Sequence, residues 1–368
     1  MTRAGNRSRT RWNLQVAAAH GFSLLELLVA IGVFLVISAA SFMLFSRHQT
    51  LLSREQGLAG LNIGLRNALA QIQIDVVNAG NGLIMGAYVP AWPVGVTIVN
   101  QDPSTACNVP ATFTYTSTCF DTLNVIAVDP NTPAWHPQTS SGASIDTSVQ
   151  ATLYAAPTGA YTATAYYQNF KSGDQILLID ATGTPYTTVT LTANGALSSD
   201  SSKIVLTFTR TSAAGINPSD PLHITTSAAS TDLGVSYGPS DWLVRLSPIT
   251  YSVDTTTNPA NPQLTRQRGG GNPDVVMEQV VAFKVGAAIF GTTTSGFDYS
   301  YKAASTPANG GYSNNFTLVR AVRVSLIGRT RPSTDPSYTY RNAFDQGPYQ
   351  VLGNSIIVNP RNLSMNNN

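Results

Sequence analysis

The longest apolar pattern in the chain lies near its N-terminus, in the run FSLLELLVAIGVFLVISAASFMLF from Phe22 to Phe45. As an α-helix this run would extend about 36 Å, which is more than the roughly 30 Å hydrocarbon core of a bilayer. One carboxylate, Glu26, interrupts it, and a charge at membrane depth costs about 2.5–3.5 kcal/mol on insertion scales. The pattern therefore predicts a membrane-spanning helix in which Glu26 has a specific role.

The residues before the apolar run are basic and include no Asp or Glu; the arginines are Arg3, Arg7, Arg9 and Arg11. Basic flanks stay on the cytoplasmic side, so we expect the N-terminus inside and the remainder of the chain outside. A secretory signal peptide has a shorter apolar core and ends at a small-residue cleavage site such as SAAS at 38–41. That reading and a simple uncleaved anchor are the alternatives.

After the apolar run, apolar residues recur every three or four positions, as on one face of a helix: Leu58, Leu61, Leu65, Leu69, Ile72 and Val76. The pattern predicts one helix from Phe22 to about Asn78. It should end in NAGNG, where Gly80 or Gly82 can adopt the left-handed conformation. Because nearby glycines weaken the first turns of this segment, two helices broken near Gly57 are the alternative.

Beyond residue 82 the helical period gives way to short β-type runs, at 122–128, 175–180, 187–193, 203–210, 280–290 and 318–328. In the last of these, Val322, Val324 and Leu326 share one face, opposite Arg323 and Ser325, as in an antiparallel strand buried on one side. Long Pro- and Thr-rich loops are expected between the runs, at 129–165, 211–240, 254–274 and 291–315. The fold class is therefore α+β, a long N-terminal helix packed on an antiparallel β-rich domain.

Composition indicates that the chain is exported. Only 11% of residues are charged, and Thr, Ser, Asn, Gly and Pro dominate after Phe45. The net charge of +2 comes from the four leader arginines, without which 17 basic residues face 19 acidic ones, so charge gives no support for nucleic-acid binding. In an exported chain, Cys107 and Cys119 would form a disulfide that closes a short loop, or remain as two buried thiols.

The hexad Gly21-Phe22-Ser23-Leu24-Leu25-Glu26, followed by the apolar helix, resembles the class III signal peptide of type IV prepilins and type II secretion pseudopilins. The resemblance implies that a membrane-embedded prepilin peptidase cuts between Gly21 and Phe22 and methylates the new amine of Phe22. The resemblance also divides the chain into four segments. These are a cleaved leader (1–21), a transmembrane and assembly helix (22–45), an amphipathic helix (46–80) and a periplasmic or extracellular β-rich domain (81–368).

Cleavage would also give Glu26 a partner. The new amine of Phe22 carries a positive charge at membrane depth, and the Glu26 carboxylate can pair with it on a neighbouring subunit or on its own helix. Two charges that are each unfavourable in lipid would then offset one another only in the correct register. We therefore expect Glu26 to act in subunit docking and not in catalysis.

The order of later segments resembles one subgroup, the PilW-type minor pilins. The similar segments are ALAQIQIDVVNAGNG, DTLNVIAVD, KSGDQILLID, ITYSVD, QLTRQR, VVAFKV and VRAVRVSLIGRTRP. The resemblance implies a subunit that helps to initiate type IV pilus assembly and enters the filament, with a tip position as one option. Its implied partners are the prepilin peptidase, other minor pilins, the major pilin, the assembly platform and the inner membrane. A pseudopilin J of type II secretion and a glycan-binding tip adhesin are the alternatives.

Catalytic motifs are scarce. The four histidines, two of them at or near the apolar run, leave little material for a triad or a two-histidine metal site, and no cofactor or metal is expected. DTTTNPANP at 254–262 offers oxygen ligands without the spacing of a calcium loop, so Asx-type turns are the better interpretation. The expected role is that of an enzyme's substrate, not of an enzyme.

A basic and aromatic cluster near the C-terminus supplies the candidate ligand contacts, Arg329, Arg331 and Tyr340. Arginines beside aromatic rings can hold DNA or an acidic glycan. A solvated strand face or a contact between subunits is the favoured interpretation, and direct nucleic-acid binding is not expected.

Overall fold

The computed structural model describes residues 23–82, 95–101, 114–146, 150–181, 186–210, 236–289, 296–299, 319–333 and 338–360. By internal contacts the chain divides into two units, Met1–Gln56 and Gly57–Asn368. The helices are α1 Leu24–Val77, the single turn Ala163–Tyr166, and the 3-10 turns Ser117–Cys119 and Tyr167–Asn169. The strands are β1 Val96–Val99, β2 Thr122–Val128, β3 His136–Gln138, β4 Ile145–Asp146, β5 Thr152–Ala156, β6 Gln175–Ile179, β7 Tyr186–Leu191, β8 Ala196–Leu197, β9 Ile204–Arg210, β10 Ser236–Tyr237, β11 Trp242–Asp254, β12 Gln263–Arg268, β13 Asp274–Met277, β14 Val280–Ile289, β15 Val319–Arg329 and β16 Val351–Val358.

The predicted long helix is confirmed. α1 runs for 54 residues without a break, so the alternative of two helices separated near Gly57 is wrong. The apolar face predicted from the spacing is the buried one, at Leu61, Leu65, Leu69, Ile72 and Val76. This half of α1 therefore owes its stability to the packing of that face on the sheets, which offsets the weak helix propensity of its glycines.

The turn that ends α1 uses both predicted glycines, since Gly80 and Gly82 each have φ of 75°. The Gly80 N–H donates to the carbonyl of Ile126 at 2.7 Å, and the Val128 N–H donates to the carbonyl of Asn81 at 2.8 Å. A Cβ on Gly82 would lie 2.8 Å from Cβ of Val128. The chain can therefore leave the helix against β2 only with glycine at this position.

The first core lies between the second half of α1 and two antiparallel sheets. In one sheet, β11 pairs with β2 and β12, β1 pairs with β2, and β13 pairs with β12. The other sheet has the order β14-β15-β16. Side chains from the helix and from both sheets join one apolar cluster, among them Leu65, Ile72, Leu123, Leu264 and Val324.

The alternation predicted for the run at 318–328 is confirmed in β15. Val322, Val324 and Leu326 are buried, whereas Arg323 and Ser325 on the other face are partly exposed. The strand therefore turns one face to the first core and the other face away from it.

The second core fills a small barrel inserted between β2 and β11. Its strands follow the order β11-β6-β7-β9-β5-β3. Trp135, the residue before β3, exchanges two backbone hydrogen bonds of 2.7 and 2.8 Å with Leu243 of β11, which closes the ring. Inside are Trp135, Phe170, Leu178, Phe208 and Leu243, all buried. Closure leaves this sheet without a free edge along the ring.

One strand joins the two cores. In β6, Leu177 and Ile179 belong to the first cluster, whereas Ile176 and Leu178 belong to the second. Both faces of this strand are thus buried, which explains why its sequence, QILLI, is apolar at four consecutive positions.

The prediction of a long loop at 129–165 is wrong. This segment contains β3, β4, β5 and the start of the single helical turn, and β3 and β5 belong to the barrel. The predicted loops at 211–240 and 291–315 lie mostly outside the described residues. The predicted loop at 254–274 is wrong in part, because β12 lies inside it. At its start, Asp254 accepts hydrogen bonds from the N–H and hydroxyl groups of Thr256 and Thr257, which confirms the Asx-type turn. These bonds lower the pKa of Asp254 to about 2.

Candidate assembly site at the start of the helix

The first turn of α1 is closed by two residues of the GFSLLE hexad. Ser23 precedes the first helical residue and is its N-cap, so that Glu26 occupies the third helical position. The Glu26 N–H donates to Ser23 Oγ at 3.2 Å, and the Ser23 N–H donates to Glu26 Oε2 at 3.0 Å. The Ser23 hydroxyl also donates to Oε2, at 3.1 Å. This reciprocal arrangement is a capping box.

The capping box gives Glu26 a local role that was missed in the sequence, although the S-x-x-E spacing of Ser23 and Glu26 signals it. It satisfies two N–H groups that a helix start leaves without partners, which matters most where water is absent. The box uses only Oε2, and Oε1 has no hydrogen bond to the described residues. Gly21 and Phe22 lie outside those residues, so cleavage, methylation and the pairing of Glu26 with an amine stay predictions.

The apolar half of α1 is exposed among the described residues. Its large side chains are more than half exposed, among them Leu24, Leu28, Phe34, Ile37 and Phe45. By length and composition this part of the helix can cross a membrane, and its most apolar window has no buried residue. An apolar surface of this size requires lipid or other helices around it.

The other end of α1 is held to the first core by a buried ion pair. Arg266 of β12 donates from Nε and Nη2 to the two carboxylate oxygens of Asp75, at 2.7 and 2.9 Å. The Tyr251 hydroxyl donates to the same carboxylate. The hydrogen bond to Asp75 raises the pKa of Arg266, while burial, followed by the bond to Asp75, raises the pKa of Tyr251. The tyrosine therefore stays neutral and donates its hydrogen to the carboxylate at neutral pH.

Arg329, proposed as a ligand contact, does not face solvent. Its side chain is 2% exposed, its Nε donates to Gln279 Oε1 at 2.7 Å, and its Nη2 donates to the carbonyl of Ala260 at 2.5 Å. The guanidinium also lies 5.7 Å and 4.7 Å from the ring centres of Tyr115 and Tyr349. Arg329 is thus a buried packing residue, which the sequence pattern could not distinguish from an exposed one.

The other residues proposed as ligand contacts do lie at the surface. The Arg331 side chain is 84% exposed, and its distance of 3.9 Å from Glu278 makes only a weak ion pair. Tyr340 is 46% exposed, with its ring 6.1 Å from that of Tyr338. No ligand is required to explain either arrangement.

The predicted disulfide lies partly outside the described residues. Cys119 is buried and disulfide-bonded. Cys107 falls in the undescribed segment, so its pairing with Cys119 stays a prediction.

Comparison with known families identifies the N-terminal segment. Residues 17–42 match the family model described as the prokaryotic N-terminal methylation motif. The match includes the capping box and most of the apolar half of α1. The chain therefore carries the N-methylation motif of prepilins.

Comparison with curated proteins gives no match. Among solved structures, the chain is similar to the type IV-like pilin TTHA1219 from Thermus thermophilus, with 14% identity and a TM-score of 0.20. The alignment covers 55% of this chain and 94% of that one.

Proposed function

We propose that the protein is a minor pilin of the PilW type, which helps to initiate a type IV pilus and is built into the filament. The observation that carries this proposal is the methylation motif at 17–42, placed on a helix that is capped at Ser23 and Glu26 and uncovered along its apolar half. Such a helix can leave the bilayer only if other apolar helices replace the lipid around it.

In this proposal the precursor is a single-pass inner-membrane protein with its basic leader in the cytoplasm. The prepilin peptidase removes residues 1–21 and methylates Phe22. The major pilin, other minor pilins and the assembly platform then receive the mature helix. The β-rich unit after α1 remains on the outer side and is displayed by the filament.

Glu26 acts in docking. The capping box occupies Oε2 within its own helix, which leaves Oε1 for the amine of Phe22 on a neighbouring subunit. Because the carboxylate is already held by Ser23, little side-chain entropy is lost when the second partner arrives.

The same N-terminal segment would also serve a pseudopilin J of a type II secretion system. The inserted barrel favours the pilus, because the pseudopilins that this chain resembles are usually shorter. The presence of the protein in sheared pili would distinguish a pilus subunit from a secretion pseudopilin.

Mass spectrometry of the protein's N-terminus, in membranes and in sheared pili, tests the proposal. We expect a chain that begins at methylated Phe22 in the sheared fraction, and an unprocessed chain when the prepilin peptidase is absent. A chain that begins at Met1, or after residues 38–41, would show that the protein is an ordinary anchored or secreted one.

A further inference from the structure

The three-stranded sheet β14-β15-β16 has one edge that is closed by groups from outside the sheet. Asp121, which lies outside this sheet, donates its N–H to the carbonyl of Phe283 on β14, at 3.0 Å. Oδ2 of Asp121 accepts the N–H of Val285 at 2.8 Å. Ala287 exchanges two backbone hydrogen bonds of 2.9 Å with Asp298. Phe283, Val285 and Ala287, which are alternate residues of this edge, thus each have a backbone group bonded to a residue outside the sheet.

Other strand edges in the described chain are short or protected. β1 has four residues and all of them are buried. β13 also has four residues, begins with the charged Asp274, and meets β12 with a register shift. β3 has three residues, includes Pro137, and leads into the bridge that closes the barrel. These are the devices by which sheets avoid pairing with other chains.

The edge at β16 has none of these devices. β16 has eight residues that pair with β15 in continuous register, without a bulge. Its sequence, VLGNSIIV, has no proline and no charge. Gly353, Asn354 and Ser355 are exposed, and Ile357 is 59% exposed. This is the longest strand edge that no other described segment covers.

Ser355 shows which backbone groups point away from the sheet. Its N–H donates to the side-chain Oδ1 of Asn354, at 2.8 Å. In an antiparallel pair, every second residue directs its N–H and C=O away from the partner strand. Gly353 and Ile357 therefore present theirs at the same edge as Ser355. Among the described residues these groups have no partner apart from that of the Ser355 N–H.

We propose that β16 is a docking edge that takes an extended strand from a neighbouring, non-identical filament subunit. This inference rests on the function proposed above. A row of alternating N–H and C=O groups is complementary to an extended backbone and not to a helix or a small ligand. The exposed Ile357 offers an apolar side chain for the added strand to cover.

The partner is a different protein because of what a filament requires. Two copies of the same edge would pair about a two-fold axis, and such a contact closes after two chains. A subunit that initiates a filament must instead contact unlike neighbours in one direction. An extended segment of another pilin meets this requirement.

A proline at position 355 tests the edge with little effect on the fold. Ser355→Pro removes an N–H that points away from β15, together with its local bond to Asn354 Oδ1, and proline is tolerated on edge strands. Ser355→Ala, which retains the N–H, is the matched control. We expect the amount of Ser355→Pro in sheared filaments to fall by about tenfold or more, with Ser355→Ala at the wild-type level.

Ile357→Lys serves as a second variant, since it adds an edge charge at an exposed position where the fold does not depend on the side chain, and the same loss is expected.

A photoreactive residue at 357 in the full chain, in cells, identifies the neighbour, and the expected adduct is another subunit with an N-methylation motif. Incorporation of both variants at the wild-type level, or an adduct formed only with a second copy of this chain, would overturn the proposal. A wild-type protein absent from sheared filaments would overturn the pilin assignment as well.

Discussion

The Arg266 guanidinium donates hydrogen bonds to both carboxylate oxygens of Asp75, which is 191 residues away in sequence. Asp75 lies in the last turn of α1 and Arg266 in β12, and both are less than 10% exposed. A guanidinium and a carboxylate that meet in this forked geometry fix orientation as well as distance. The pair therefore sets how the end of the helix sits on the sheet.

Loss of this cation should strongly destabilise the fold. Arg266→Met leaves the Asp75 charge buried with only Tyr251 to bind it, and removing one partner of a buried pair costs about 3–5 kcal/mol. Arg331→Ala is the control, since its side chain is 84% exposed, and we expect a change within about 0.5 kcal/mol. Urea denaturation of the full chain in detergent, followed by tryptophan fluorescence, measures both. Equal midpoints for the two variants would contradict the prediction.

Two glycines of the same segment should respond in opposite directions to alanine. Gly82 has φ of 75°, and its Cβ would meet Val128, so Gly82→Ala should destabilise by about 2 kcal/mol or more. Gly60 lies in mid-helix with nothing within 4 Å of the added Cβ, so Gly60→Ala should stabilise by about 1 kcal/mol. The same denaturation experiment applies. If Gly82→Ala were neutral, the turn would not need the left-handed conformation.

The helix and the half-buried strands could be predicted because their patterns are long. α1 has apolar residues at regular spacing over many turns, and β15 alternates over eleven residues. The barrel was missed for the opposite reason. β3 has three residues and β8, which pairs with β9, has two, which is too few to show a period, and β6 is buried on both faces. Closure by the bridge between Trp135 and Leu243 depends on tertiary structure.

The residues of the candidate site divide in the same way. Glu26 stands out because one charge interrupts an apolar run, and its bond with Ser23 follows from local spacing alone. Arg329 and Arg331 are two residues apart in similar sequence, yet one is buried and the other is exposed. The difference depends on residues distant in sequence from Arg329, among them Gln279 and Tyr349, which contact its guanidinium.

The ion pairs of Arg245 with Asp129 and Asp174 should make the stability of the fold sensitive to acid. Arg245 of β11 donates to Asp174 at 2.8 and 3.2 Å and also to Asp129, the residue that follows β2. Burial disfavours the charged form of Asp129, but hydrogen bonds from Thr132 and Asn131, together with Arg245, hold the pKa of Asp129 below its usual value. Its contribution is therefore complete above the unfolded pKa of about 3.9 and is lost as the pH falls through the lower folded value.

The test compares denaturation midpoints between pH 7 and pH 3 for the wild type and Asp129→Asn. We expect the wild type to lose stability below about pH 4, and the variant to be less stable at pH 7 with a shallower loss in acid. Asp274→Asn, at an exposed position on β13, controls for the general effect of removing a carboxylate. A variant curve parallel to that of the wild type would show that Asp129 does not contribute through its charge.

Glutamine at position 26 should separate the two roles of Glu26. A glutamine side chain can accept the Ser23 N–H, so Glu26→Gln keeps the capping box and removes the charge. Ser23→Ala does the reverse, because it removes the cap, at about 0.5–2 kcal/mol, and keeps the carboxylate. If the carboxylate pairs with the amine of Phe22 on a neighbour, Glu26→Gln should reach sheared filaments at about a tenth of the wild-type level or less, and Ser23→Ala should remain near the wild-type level.

Quantitative mass spectrometry of the sheared and membrane fractions gives the ratio, and Glu26→Ala, which lacks both functions, sets the lower limit. Incorporation of Glu26→Gln at the wild-type level would mean that Glu26 is present to begin the helix, and that the charge in the apolar run has no role in docking.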